Sequence, residues 1–250
     1  MRVSILQQDI VWENLPENLR KSETAIDSDP GADIYVLPEM FPTGFCTDPE
    51  GVAEPEGGRA LEWMKSMAAR TDAAIAGSVV VKEDGFYYNR FYFVRPDGTV
   101  TYYDKKHLFT YGGEHERFTA GDRRVVVEFR GVRIMLLVCY DLRFPIWSRN
   151  HGDYDMILYV ASWPTPRVQA WKSLLVARAI ENQCYVAGVN RVGTDPSNSY
   201  CGGSMVIDPY GKIMASCEDG KECSASAEID MPSLEAFRKK FPVLNDSDVL

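Results

Sequence analysis

Apolar residues in this chain come in strand-sized stretches, each closed by charge or by turn-forming residues, and none is long enough to cross a bilayer. Stretches of that length bury their apolar faces by pairing into sheets and packing those sheets under helices. Segments 2–6 and 33–37 read as short buried strands around a polar, helix-suited segment from Asn14 to Ser28, which makes a β-α-β start. Leu61, Met64, Met67 and Ala68 then fall at spacings that line one face of a helix between Gly58 and Arg70.

Strands dominate the middle of the chain. Segments 73–81, 86–94 and 99–103 are rich in β-branched and aromatic residues, and the turn formers Asp84 with Gly85 and Pro96 to Gly98 separate them, as in an antiparallel meander. A further pair, 124–129 and 132–138, is divided by Arg130 and Gly131, and its second strand runs from Val132 to Val138 directly into Cys139. The spacing then predicts a strand over 155–161, a helix over 166–182 and strands over 184–190, 203–207, 212–216 and 224–229. A last short helix, capped by Ser233, ends near Lys240, and the stretch from Phe241 to Leu250, with Val243, Leu244 and Val249, is expected to pack. Hairpins mixed with helical crossovers point to a layered α/β fold, and with no repeat, linker or composition shift residues 1–250 are expected to form one domain.

Composition narrows the classes of function. A net charge of -9 at pH 7 repels phosphate backbones, and the basic runs Lys105 with Lys106 and Lys239 with Lys240 are too short to make a nucleic-acid surface. The N-terminal apolar stretch gives way to Gln7, Gln8 and Asp9 before it reaches the length of a signal sequence, so the expected compartment is the cytoplasm, with no membrane partner. The cysteines, at 46, 139, 184, 201, 217 and 223, include no C-x-x-C pair and have no His at zinc-ligand spacing. No metal and no other cofactor is expected, and most of these thiols are expected to pack as small apolar groups. Gly112 with Gly113 and Gly202 with Gly203 lack the βαβ context of a dinucleotide loop.

The residues that carry chemistry stand at strand ends. Amide hydrolysis needs a strong nucleophile, a base to deprotonate it and a fixed positive group where the oxyanion develops. Cys139, Glu39 and Lys105 each follow a strand and supply those three functions if the strand ends converge. Singly, each has a bland explanation: a buried structural thiol, a solvated loop carboxylate and a surface cation.

Longer strings change that weight. LPEMFPTGF at 37–45, DKKHLF at 104–109 and VCYDLRFP at 138–145 resemble, in order and separation, the motifs of the nitrilase superfamily of carbon-nitrogen hydrolases. GGEHERFTAGD at 112–122, SWP at 162–164, AWKSLLVARAIENQCYVAGVNRVG at 170–193 and GGSMVIDPYG at 202–211 extend the resemblance over nearly the whole chain. It implies a four-layer α-β-β-α sandwich and a Glu, Lys and Cys set, here Glu39, Lys105 and Cys139. The K-x-H-L pattern selects Lys105 over Lys106, and Glu114, in the string that ends at the AGD turn, matches a second family glutamate that supports the Lys and the substrate.

LPEMFPTGF together with VCYDLRFPIWSRN looks most similar to the omega-amidase branch, with its YafV-like bacterial members. That implies hydrolysis of the terminal amide of 2-oxoglutaramate or 2-oxosuccinamate through a thioester on Cys139, with Lys105 and the backbone N–H of Tyr140 holding the oxyanion. It also implies an anion site for the oxo-acid end, and a homodimer or higher homo-oligomer. Trp163, Phe45 and Phe109 are each either a pocket wall or a buried structural ring. Arg143 either reads the substrate anion or pairs with Asp141 to shape the turn after Cys139, while His107 is expected to support the Lys105 loop. Rival readings are another amidase of the superfamily, acting on deaminated glutathione or aliphatic amides, and a catalytically silent scaffold of the same fold.

Overall fold

The structure is a computed structural model that describes residues 1–246. In chain order the strands and helices are β1 (Arg2–Gln7), α1 (Leu15–Ser28), β2 (Ile34–Val36), β3 (Glu54–Pro55), α2 (Arg59–Thr71), β4 (Ala74–Glu83), β5 (Phe86–Val94), β6 (Val100–Asp104), β7 (Val126–Phe129) and β8 (Val132–Val138). There follow β9 (Met156–Ala161), α3 (Val168–Glu181), β10 (Tyr185–Asn190), β11 (Val192–Thr194), β12 (Ser199–Cys201), β13 (Met205–Ile207), β14 (Ile213–Ser216), β15 (Cys223–Glu228) and α4 (Met231–Lys240).

Local chemistry sets several boundaries. The Asn14 side chain accepts the Glu17 N–H at 3.2 Å and Pro16 sits in the first turn of α1, where its missing N–H costs nothing. The buried residues Asn18, Leu19, Ser22 and Ile26 recur at helical spacing along one stripe. The helix α4 corrects an expectation: Asp230, not Ser233, is its cap, and Asp230 accepts the Ser233 N–H at 3.2 Å, with Pro232 in the first turn. The short pair β11 and β12, and β3, carry too few residues to show a period in the sequence.

Two sheets form the centre. One has the order β15-β1-β2-β4-β5-β6, with β3 also on β4; the other runs β14-β13-β10-β9-β8-β7. The expected meander β4-β5-β6 is antiparallel, whereas β1-β2-β4 and β8-β9-β10 are parallel, as helical crossovers require. Strand alternation then makes layers. Ile34 and Val36 of β2 pack in one cluster with β8, β9 and β10 of the other sheet, while Tyr35 and Leu37 pack with Leu19, Leu61 and Met64 of the helices α1 and α2. On the far side Trp171 and Leu175 of α3 cover β10, where a Cβ at Gly188 would come within 2.4 Å of Leu175. The result is the expected α-β-β-α sandwich, and no described helix is long and apolar enough to cross a membrane.

The end of the chain is less covered. Val243 and Leu244 are half-buried in a final 3-10 turn, and the expected packing of Val249 lies outside the described residues.

Leu158, fully buried on β9 between its parallel neighbours, tests the sandwich. Leu158→Ala is expected to lower unfolding free energy by about 2–5 kcal/mol, read from urea denaturation.

Candidate active site

The exits of strands from both sheets bring the expected residues together. After β2 the Leu37 N–H donates to the Ala76 carbonyl at 2.7 Å and the Met40 N–H to the Ser78 hydroxyl at 2.9 Å, so the segment carrying Glu39 leans on β4. Lys105 directly follows β6, and its N–H still donates to the Asn89 carbonyl of β5 at 3.0 Å. The loop behind it is tied by the Gly121 N–H to the Lys105 carbonyl, also at 3.0 Å. A Cβ at Gly121 would sit 2.1 Å from the Asp104 carbonyl, which explains a glycine in the AGD turn.

Lys105 is held between two carboxylates. Its ammonium donates to Glu39 Oε1 at 2.8 Å and to Glu114 Oε2 and Oε1 at 2.9 and 3.1 Å. Asn89 Nδ2 bridges the same carboxylates, at 2.8 Å to Glu39 and 3.1 Å to Glu114. The remaining Glu39 oxygen accepts the Ser162 N–H at 2.8 Å from the other sheet's β9 exit, and Glu114 Oε2 accepts the Phe109 N–H at 2.6 Å. Glu39, Lys105 and Glu114 are all fully buried. Burial by itself drives a lysine towards neutrality, but the charges of Glu114 and Glu39 outweigh it and hold the Lys105 ammonium above its ordinary pKa. Burial, with the Glu39 charge, lifts Glu114 above the ordinary carboxylate value despite the pull of Lys105.

Cys139 sits in a left-handed backbone conformation, φ 46°, at the start of a 3-10 turn, Cys139–Arg143, that leaves β8. A non-glycine residue there costs about 1–3 kcal/mol and persists only where surrounding bonds enforce it. Asp141 provides them. Its Oδ2 accepts the Val138 N–H at 3.0 Å and the Tyr103 hydroxyl at 2.8 Å, and its Oδ1 accepts the His107 N–H at 3.0 Å and faces His107 Nδ1 at 2.8 Å. Arg178 of α3 adds a bond to the Leu142 carbonyl at 2.6 Å. Burial first, and then the charge of Glu39, raise the Cys139 thiol well above its ordinary pKa, against the pull of Lys105.

Cys139 and Lys105 line a cavity of about 40 Å³, room for a few water molecules. Phe45, Phe109 and Tyr140 form one aromatic wall, with Phe109 edge-on to Phe45 and Tyr140 at 6.4 and 5.2 Å between centroids. Trp163, Pro164 and Tyr200 also line the cavity, and Ser162, Arg143, Arg167 and Asn198 supply polar lining. Every expected wall residue therefore reaches the cavity, while Glu39 and Glu114 stand behind it on Lys105, with Glu39 also beside the Cys139 thiol.

The expected Asp141 and Arg143 ion pair is not formed. Asp141 is spent on Tyr103, His107 and the Val138 N–H, and Arg143 turns instead towards the cavity, with its guanidinium 4.9 Å from the Trp163 ring centroid. His107 does join the Lys105 loop to the Cys139 turn, and also stacks on Phe144 at 3.8 Å. Sequence reasoning missed Asn89, Ser162, Arg167, Asn198 and Tyr200. An amide within the aromatic strand FYYNRFYFV is a signal for Asn89; the other four become neighbours of the cavity only through tertiary packing.

Known proteins share this arrangement's sequence and fold. The carbon-nitrogen hydrolase family model matches residues 2–239. The chain belongs to the carbon-nitrogen hydrolase family. It is 47% identical over 249 residues to omega-amidase YafV of Yersinia enterocolitica, covering 99% of this chain and 97% of that protein. It is 39% identical over 251 residues to the 2-oxoglutaramate amidase of Bacillus subtilis (strain 168), covering 98% and 96%. Among solved structures, XC1258 from Xanthomonas campestris, a CN-hydrolase superfamily protein with an arsenic adduct in its active site, superposes with a TM-score of 0.97 at 40% identity, covering 100% of this chain and 98% of that one. The expected superfamily, its omega-amidase branch and its sandwich are thus borne out, and the chain is an enzyme of the carbon-nitrogen hydrolase class.

Asp141→Ala would strip the Cys139 turn of its internal acceptor and leave the Tyr103 hydroxyl buried without one. It is expected to cost about 2–4 kcal/mol of stability in urea unfolding.

Proposed function

We propose that residues 1–250 form one carbon-nitrogen hydrolase domain that cleaves the terminal amide of a small omega-amide, 2-oxoglutaramate or 2-oxosuccinamate, to the dicarboxylate and ammonia. The observation that carries this reading is the buried Lys105 ammonium, fixed by Glu39 and Glu114 at the cavity onto which Cys139 opens. The relatives named omega-amidase and 2-oxoglutaramate amidase supply the substrate class.

In the proposed cycle Glu39 takes the proton of the Cys139 thiol as sulfur attacks the amide carbon. Because the resting sulfur holds its proton so firmly, an adjacent base is needed at neutral pH. Lys105 and the Tyr140 N–H hold the oxyanion. Glu39 then returns the proton to nitrogen, the C–N bond breaks and ammonia leaves. Water attacks the thioester while giving a proton to Glu39; the C–S bond breaks, and the thiol is restored. Glu114 takes no proton in this cycle and keeps the Lys105 ammonium charged and in place. Phe45, Phe109, Tyr140 and Trp163 enclose the acyl chain, and Arg143 faces its carboxylate.

A cytoplasmic homodimer or higher homo-oligomer completes the proposal. Supporting it is an apolar surface beside α3, where Ile180, Tyr210, Ile213 and Phe241 are 50%, 65%, 49% and 58% exposed.

Cys139→Ala is expected to abolish ammonia release and leave the unfolding curve in place; turnover persisting in that variant would remove the mechanism. Wild-type enzyme is expected to release ammonia from 2-oxoglutaramate faster than from glutamine or simple aliphatic amides, and the reverse order would favour the aliphatic-amidase reading. Because Glu114 binds its proton above the ordinary value of 4.5, the Lys105 cradle loses charge early as pH falls. The acid limb of kcat/KM is therefore expected above pH 4.5.

A further inference from the structure

Arg167 lines the same cavity as Cys139. It ends the 3-10 turn Thr165–Arg167 before α3, and that turn is pinned on both sides. The Trp163 indole N–H donates to the Arg167 carbonyl at 2.8 Å, and the Thr165 hydroxyl donates to the Ser199 carbonyl at 3.0 Å. The guanidinium projects over Phe109 and Tyr111, 5.4 and 5.9 Å from their ring centroids, so aromatic faces orient it without neutralising it. Among the described residues no carboxylate pairs with it and no hydrogen-bond acceptor meets it. Arg143, on the same cavity, is in the same condition.

The charge around the cavity is therefore divided. At the Cys139 end a single ammonium faces two carboxylates, so the inner cluster has no positive charge to spare. Elsewhere on the cavity lining two guanidiniums, Arg143 and Arg167, have no carboxylate partner among the described residues, in a chain whose net charge is -9. A ligand with a carboxylate at one end and an uncharged amide at the other fits this polarity in one orientation only, with its amide at Cys139.

Resting on the proposed omega-amide reading, we infer that Arg167 is a specificity-determining residue that binds the substrate carboxylate opposite Arg143 and makes the enzyme prefer an anionic amide to a neutral one of the same length. A planar guanidinium presents paired donors that match a carboxylate, and its seat on Phe109 and Tyr111 limits the rotamers to be ordered on binding.

The test compares wild type, Arg167→Met and Arg167→Lys on 2-oxoglutaramate and on 4-oxopentanamide, a neutral amide of similar length. Arg167→Met is expected to lower kcat/KM for 2-oxoglutaramate by about tenfold to a hundredfold, mainly through KM, and to leave the neutral amide within about twofold. Arg167→Lys is expected to recover part of the loss. An equal fall on both amides, or no fall on either, would overturn the inference. A second measurement separates this outcome from failure of the omega-amidase reading itself. Glutarate is expected to protect Cys139 of the wild type from alkylation by iodoacetamide, and Arg167→Met is expected to need about ten times more glutarate for the same protection. Equal protection of the two proteins would sink the role of Arg167 whatever the natural substrate is.

Discussion

An ammonium group with no exposure to solvent is the constraint on which the site depends. Lys105 remains charged inside the sandwich only because Glu39, Glu114 and the loop around them are already in place. Withdrawing a charge from water is expensive, and removing one partner leaves the others uncompensated. The cluster also needs both sheets, since Asn89 comes from one and the Ser162 N–H from the exit of a strand in the other. Packing of the two sheets and assembly of the Lys105 cluster are therefore one event.

The turn at Cys139 shows the same economy on a smaller scale. Its backbone strain is held by Asp141, and Asp141 reaches the loop after Lys105 through His107 and Tyr103. Trp147 adds an indole N–H to the Tyr103 hydroxyl at 3.1 Å. The sulfur and the ammonium thus keep their relative position through a buried polar network, which fixes geometry more closely than apolar contact alone.

Much of the architecture is legible in the sequence because period-2 and helical patterns survive wherever one face is buried, as at Leu61, Met64 and Met67. Glu39, Lys105, Glu114 and Cys139 are legible through the strings around them, and the structure gathers all four. Asp141 reads against its neighbour Arg143 because nearness along the chain suggests a pair, yet its partner His107 comes from a loop 34 residues away. Asp230 and Ser233 both have capping chemistry, and the choice depends on where the chain leaves β15. Arg167 gives no local signal at all, since what distinguishes it is the lack of a partner among the described residues, which only tertiary structure reveals.

Phe109 belongs to two systems at once. Its ring forms a cavity wall while its N–H is bound to the carboxylate that secures Lys105. Reshaping that side for a bulkier acyl group would disturb the cation's cradle. Residues 163–167 and 198–200, which also reach the cavity, have no hydrogen bond to Lys105, Glu39 or Glu114, so their side chains can change without unmaking that cradle.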